Sequence, residues 1–160
     1  MELSLLAVAS PVGRWGVLGD EQGLHRVLMP FEMVGHRASR SAPAVVSQAA
    51  EELTAYFVGQ RRHFTVPRTP SSTTAFQQDC WRALEAIPFG QVATYADIAA
   101  AVGRPRAARA VGNANHANPW PIIIPCHRVV AATGLGGYGG GIEVKEFLLD
   151  LERSLVTANA

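Results

Sequence analysis

The chain has 160 residues, 48% of them hydrophobic and 17% charged, with a formal net charge of +1. That is the balance of an average soluble protein with enough residues for one domain or two small ones, and its overall charge gives no reason to expect a nucleic-acid partner. Two cysteines, Cys80 and Cys126, exclude a disulfide framework, no Cys or His spacing suits zinc, and no apolar run approaches the roughly 18 residues of a membrane span. Reduced thiols, no metal, no cofactor and no membrane association are therefore expected, in a protein of the cytoplasm.

Taken in chain order, Leu3 to Ala9, Trp15 to Leu18 and Leu24 to Met29 alternate like strands, with turns at Pro11-Val12-Gly13 and at Gly19 to Gly23. The Ala-x-Ala at residues 7–9 lacks the basic and apolar segments of a signal peptide, so this stretch reads as the first strand. Ala44 to Phe57 carries Val45, Ala49, Leu53 and Tyr56 or Phe57 at helical spacing, with Gly59 as a stop. The Pro-, Ser- and Thr-rich stretch that follows reads as a linker. The expected organisation is an α/β domain over 1–66, a linker over 67–75 and a mainly α domain over 76–160.

The second part opens with a helix from about Ala75 to Ala86. Thr74 and Gln77 form its capping-box signature, and Phe76, Cys80, Ala83, Leu84 and Ile87 face inward, which makes Cys80 structural. After Pro88-Phe89-Gly90, a second capping box, Thr94 with Asp97, starts a helix from Tyr95 to Val102. Gly103-Arg104-Pro105 then turns the chain into a helix from Arg106 to about Asn115, the outline of a helix-turn-helix. The second helix has mostly small side chains, which suit either close approach to a duplex or plain helix packing. Arg104, Arg106, Arg109 and Arg128 fall in a stretch without acidic residues, which is a local basic patch or simply a solvated face.

The segment Pro125-Cys126-His127-Arg128-Val129 closes the apolar run Ile122-Ile123-Ile124 and sets a thiol beside an imidazole and a guanidinium. Cationic and hydrogen-bonding neighbours lower a thiol toward the nucleophilic thiolate, whereas burial raises it, and an isolated cysteine is more often inert core. Gly134 to Gly139 spells G-x-G-x-x-G, but a single closing helix, Ile142 to Arg153, follows instead of the βα unit and ribose-binding acid that a dinucleotide site needs. The glycines fit a loop whose backbone approaches a flat ligand.

Together, the helix-turn-helix, Asn118-Pro119, the Pro-Cys-His-Arg-Val segment, the glycine loop with Tyr138 and the closing helix resemble the O6-alkylguanine-DNA alkyltransferases. Ala107-Ala108-Arg109-Ala110-Val111-Gly112 matches that family almost letter for letter. The resemblance runs from about Phe76 to Glu152. The N-terminal part resembles the family's ribonuclease-like domain only in size and layout, and it lacks the cysteines with which some members bind zinc.

The resemblance implies direct-reversal repair of double-stranded DNA containing O6-alkylguanine. The base is flipped out, and its alkyl group passes irreversibly to Cys126 in one turnover. A monomer would act through the minor groove, on the nucleoid if the source is bacterial. Glu152 would hold His127, which would polarise a water that takes the thiol proton. Without the resemblance, Glu152 reads as an ordinary helix charge. Arg109 would fill the vacated space, and Tyr95 would crowd the target phosphate and donate to guanine N3. Thr94, Ala107, Ala108, Ala110, Gly112 and Arg128 would complete the DNA-facing set. Asn118 would tie the helix-turn-helix to the cysteine segment, while backbone at Cys126, Val129 and Gly139, with Tyr138 as a wall, would hold the guanine. Lys145 is expected to position the closing helix. Some members carry serine where this chain has Gly139. Glycine leaves more room, and whether that widens the range of alkyl groups or only changes the rate stays open here. Two other classes also stay open: a damage-flagging protein, against which Cys126 argues, and a cysteine hydrolase, for which the helix-turn-helix would be surplus.

Overall fold

The computed structural model describes residues 2–69 and 72–158, and the chain divides into two compact units between Ser71 and Ser72. In the first unit, β1 (Ser4–Ser10), β2 (Gly13–Gly19) and β3 (Leu24–Leu28) form an antiparallel meander in the order β1-β2-β3. Leu6 pairs with Val17 and Val8 with Trp15, so one face of the sheet collects apolar side chains. Helix α1 (Ala44–Phe57) covers that face with Val46, Ala49, Leu53 and Tyr56. The buried stripe thus starts at Val46, one residue beyond the expected Val45, because spacings of three and four from Ala49 and Leu53 lead back to it. Trp15 is fully buried with its ring centroid 5.5 Å from that of Phe57, and each such side chain stabilises the fold by roughly 1.5–3 kcal/mol.

Part of the expected linker belongs to this unit. The amide of Leu24 donates to the Pro67 carbonyl at 2.8 Å, and the Thr69 amide donates to the Leu24 carbonyl at 3.0 Å. Residues 67–69 thereby pair along the edge of β3, while Pro70 and Ser71 lie outside the described residues. Buried Glu52 anchors the same return by accepting from the amides of Thr65 and Val66 at 2.9 and 3.2 Å.

The second unit is helical. Both capping boxes form: Thr74 with Gln77 starts α2 (Ala75–Glu85), and Thr94 with Asp97 starts α3 (Tyr95–Ala101). The chain then turns at Gly103 and enters α4 (Ala108–His116), two residues later than expected because the Ala107 amide donates to the Arg104 carbonyl and keeps Arg106 and Ala107 in the turn. α2 packs on α3 and α4 through Cys80, Trp81 and Leu84, and Trp81 Nε1 donates to the Ala114 carbonyl at 2.9 Å. The closing helix α5 runs from Ile142 to Ala158, five residues past its expected end at Arg153. Among the described residues, no helix is long and apolar enough to cross a membrane.

Two features below the reach of periodicity position the site. β4 (Ala93–Thr94) pairs in parallel with β5 (Val129–Val130), joining Ala93 to Val129 and Thr94 to Val130. The start of the helix-turn-helix is therefore hydrogen-bonded to the residues just after the cysteine segment. That segment, Cys126–Arg128, is a single 3-10 turn.

Candidate active site

The loop that carries the cysteine is built by Asn118. Its side-chain amide donates to the Ile124 carbonyl at 2.8 Å and its carbonyl accepts from the Trp120 amide at 2.9 Å, pinning 118–124 into one compact turn. Ile122 there has φ +75, a left-handed conformation that a β-branched residue adopts only when its surroundings dictate it. Asn118 lies two residues beyond α4, and its side chain bonds the loop that leads into Cys126. Pro125 then makes an inverse γ-turn, φ −80 and ψ 65, with the Cys126 amide donating to the Ile124 carbonyl at 2.8 Å.

Cys126 is buried, and burial pushes its thiol up from the ordinary value. Hydrogen bonds from Asn118 and Tyr138 and the charge of Lys145 work against that rise. Cys80 is fully buried on α2, and its thiol is also raised, by burial and by Asp79, without any such opposition. The two thiols therefore differ in what surrounds them, and only Cys126 has partners that stabilise a thiolate.

His127 and Glu152 have no exposed surface, and His127 Nε2 lies 2.7 Å from Glu152 Oε2. Burial is the main influence lowering the His127 imidazole, with Arg128 and Lys145 adding to it while Glu152 opposes it. Burial alone would raise Glu152, yet hydrogen bonds and charges from His127 and Arg128 hold its carboxyl well below the usual carboxylate range. The permanently charged partner is Arg128, so Glu152 stays ionised beside a neutral His127 that donates from Nε2. His127 Nδ1 is then left as an acceptor, buried and without a hydrogen-bond partner among the described residues.

Arg128 requires a correction. Grouped on sequence with the DNA-facing residues, it is instead only 7% exposed. Its guanidinium donates from Nε to Glu152 Oε1 at 2.8 Å, from Nη2 to Oε2 at 3.1 Å and from Nη1 to the Ile87 carbonyl at 2.8 Å, and it lies over the Phe89 ring. The 3-10 turn swings it inward, where it has no phosphate to meet. The Gly90 amide adds a contact to Glu152 Oε1 at 3.3 Å.

The glycine loop wraps the other side. Lys145 on α5 is fully buried and donates from Nζ to the Val129 carbonyl at 2.6 Å and the Gly137 carbonyl at 3.3 Å. Burial lowers its ammonium, while Cys126 raises it. Sequence reasoning kept Lys145 as a helix positioner; its capacity to bridge β5 and the loop follows from burial that a lone lysine does not advertise. Tyr95 Oη approaches the same Gly137 carbonyl at 3.5 Å, and its phenol is raised, first by burial and then by Cys126. Gly136 has φ +75, and a Cβ there would stand 3.1 Å from the Tyr95 ring and hydroxyl, so both conformation and space require glycine.

Arg104, Arg106 and Arg109 are exposed around the turn and α4, with Arg104 resting on Phe76. Thr94, Ala107, Ala108, Ala110 and Gly112 are half-buried. Tyr95 stands between α4 and the glycine loop: a Cβ at Gly112 would come 3.8 Å from its ring.

The model of the 6-O-methylguanine DNA methyltransferase DNA binding domain matches residues 75–154, and that of the same family's ribonuclease-like domain matches residues 6–70. The chain belongs to the 6-O-methylguanine DNA methyltransferase family. Among curated methyltransferase-family relatives, the constitutive methylated-DNA–protein-cysteine methyltransferase of Bacillus subtilis is 50% identical over 153 residues, covering 90% of this chain and 92% of that protein. The Methanosarcina acetivorans relative is 43% identical over 152 residues, covering 91% and 95%. The solved O6-methylguanine methyltransferase of Mycobacterium tuberculosis superimposes with a TM-score of 0.81 at 38% identity, covering 99% of this chain and 100% of that one. The structure of the M. tuberculosis protein in complex with DNA gives 0.80 at 42% identity, covering 93% and 92%.

Proposed function

We propose that this methyltransferase-family chain repairs double-stranded DNA by moving the alkyl group of O6-alkylguanine onto its own Cys126, once per molecule. The observation that carries this assignment is the buried constellation in which Cys126 adjoins a neutral His127 held by an ionised Glu152.

In this reading a water between Cys126 Sγ and His127 Nδ1 relays the thiol proton to the imidazole. The sulfur attacks the alkyl carbon, forming the S–C bond as the C–O6 bond breaks, and the electron pair of that bond goes to the guanine. The Tyr95 hydroxyl, kept protonated by its raised phenol, hydrogen-bonds guanine N3 as charge builds. The proton on His127 is the one that the restored guanine needs. The thioether has no leaving group for water to displace, so the protein is consumed.

A thiol buried in the protein cannot reach a stacked base, so the damaged nucleotide must be extruded at a cost of a few kcal/mol. Exposed Arg109, flanked near the start of α4 by the small, half-buried Ala107, Ala108, Ala110 and Gly112, is suited to enter the duplex from the minor groove and hold the gap. Val129, Tyr138, Gly139 and Asn118 bound the pocket for the flipped guanine. Each carbonyl already accepting a hydrogen bond, such as Val129 from Lys145, keeps a second lone pair for the base.

Incubating the protein with a duplex containing O6-methylguanine and weighing it intact tests the reading. One methyl group, on Cys126, at no more than one per molecule is the expected result. Tight binding without an adduct would make the protein a damage-flagging module, and continuing turnover would make it a hydrolase.

A further inference from the structure

The pocket wall at Gly139 has no side chain of its own, yet the space beside it is filled. A Cβ built on Gly139 would stand 3.4 Å from Nδ1 and 3.5 Å from Cε1 of His116. The imidazole therefore lies in van der Waals contact with the place where a side chain of residue 139 would begin. His116 is the last residue of α4, exposed, and two residues before Asn118, whose side chain donates to the Ile124 carbonyl. Gly139 in turn follows Tyr138, which works against the rise of the Cys126 thiol. Asn118 and Tyr138, which both oppose the rise of the Cys126 thiol, thus lead along the chain to the two residues that meet here.

We infer that His116 is a specificity residue: its ring nitrogen selects O6-alkyl groups that carry a hydrogen-bond-accepting or anionic substituent. The inference rests on Cys126 being the acceptor in this pocket. In a displacement at carbon, sulfur, carbon and O6 lie in line, so anything attached to that carbon points sideways into the flanking wall. For a methyl group the sideways atoms are hydrogens and the wall is indifferent to them. For a substituted methylene they are the substituent, and at Gly139 it meets the edge of an imidazole whose Nδ1 lies nearest the glycine. The residue comes from the helix that carries Arg109, so DNA docking and alkyl discrimination share one element.

The test compares single-turnover transfer from duplexes containing O6-methylguanine and O6-carboxymethylguanine, the latter carrying a small anionic substituent. The variants are His116→Phe, which keeps a planar ring without nitrogen, His116→Ala, and His116→Gln, which keeps a donor. His116→Phe and His116→Ala should each lower the carboxymethyl-to-methyl rate ratio by about tenfold, the scale of one hydrogen bond to a charged group, and His116→Gln should recover part of it. An unchanged ratio in His116→Phe and His116→Ala, or a ratio no better in His116→Gln than in His116→Ala, overturns the assignment. Failure of the unsubstituted protein to accept a methyl group on Cys126 would be a failure of the underlying reading and would be visible separately.

Discussion

Arg128 grips Glu152 with two parallel hydrogen bonds, Nε to Oε1 at 2.8 Å and Nη2 to Oε2 at 3.1 Å, so the carboxylate that orients His127 is already neutralised. This decides which proton state the relay rests in. With Arg128 present, Glu152 has a permanent cation and His127 stays neutral and able to accept. In Arg128→Leu, the buried carboxylate would lose its permanent cation and would pull a proton onto His127, leaving no acceptor for the thiol proton. The acid limb of the single-turnover pH profile should therefore move to higher pH, because a higher pH is needed to deprotonate His127. Denaturant unfolding should show a loss of about 3–5 kcal/mol from the broken buried pair. A variant with that loss of stability but an unmoved acid limb would mean that Arg128 acts in folding alone.

Glu152→Gln should slow transfer far more than it weakens DNA binding, since the amide cannot stabilise an imidazolium forming at His127. Its stability should also respond less to acid. Glu152 is depressed in the folded protein, so its stabilising contribution is present above its ordinary value near 4.5 and is lost as pH falls toward the folded value. His127 is also lowered, so below its ordinary value near 6.5 the unfolded chain takes up a proton that the folded chain resists, and stability falls there too. Stability should thus rise with pH up to about 6.5, and below about 4.5, where Glu152 contributes, it should rise more steeply in the native chain than in Glu152→Gln. Denaturation midpoints measured below about pH 4.5 decide the matter; parallel curves there for the two proteins would remove Glu152 from the account.

Lys145→Met should raise the Cys126 thiol further, because burial already pushes it up and the lysine is the cation opposing that rise. Each unit of upward shift cuts the thiolate at neutral pH roughly tenfold. Alkylation of Cys126 by iodoacetamide, followed against pH in a Cys80→Ser background, reads this without DNA. An identical titration in Lys145→Met would leave the lysine as a clamp between the Val129 and Gly137 carbonyls and nothing more.

The fold was largely legible where periodicity and capping speak. The Thr74–Gln77 and Thr94–Asp97 boxes form as their spacing indicated, and α1 ends where Gly59 suggested. The site was legible in its residue types but less in its geometry. Two-residue strands have no alternation to read, so the β4–β5 pairing that registers Thr94 against Val130 was invisible. The 3-10 turn at Cys126–Arg128 was hidden by an apolar run that looks extended, and with it went the burial of Arg128. A charged residue beside a cysteine reads the same in sequence whether it points at DNA or at a glutamate 24 positions away. The contact of His116 with Gly139 depends on where the end of α4 meets the glycine loop, which no local pattern encodes.

Arg109 can act in two ways that experiment separates. It is exposed on α4 beside small side chains, so it can bind a phosphate or enter the base stack. As a phosphate contact alone, Arg109→Ala would weaken binding at all sequences and reduce the slope of log K against log salt by about 1, leaving reaction with free alkylguanine base untouched. As the group that holds the gap, its loss must scale with what extrusion costs. Firm pairing makes extrusion expensive, whereas a mismatched or single-stranded target has already given up part of that energy. Arg109→Ala should therefore lose more transfer rate on a fully paired target than on a mismatched one, by a factor of several. Single-turnover rates on both duplexes, for native protein and variant, measure that factor directly. Equal losses on the two would assign Arg109 to the phosphates and require another residue to hold the gap; Arg106, exposed at the same turn, is the next to substitute.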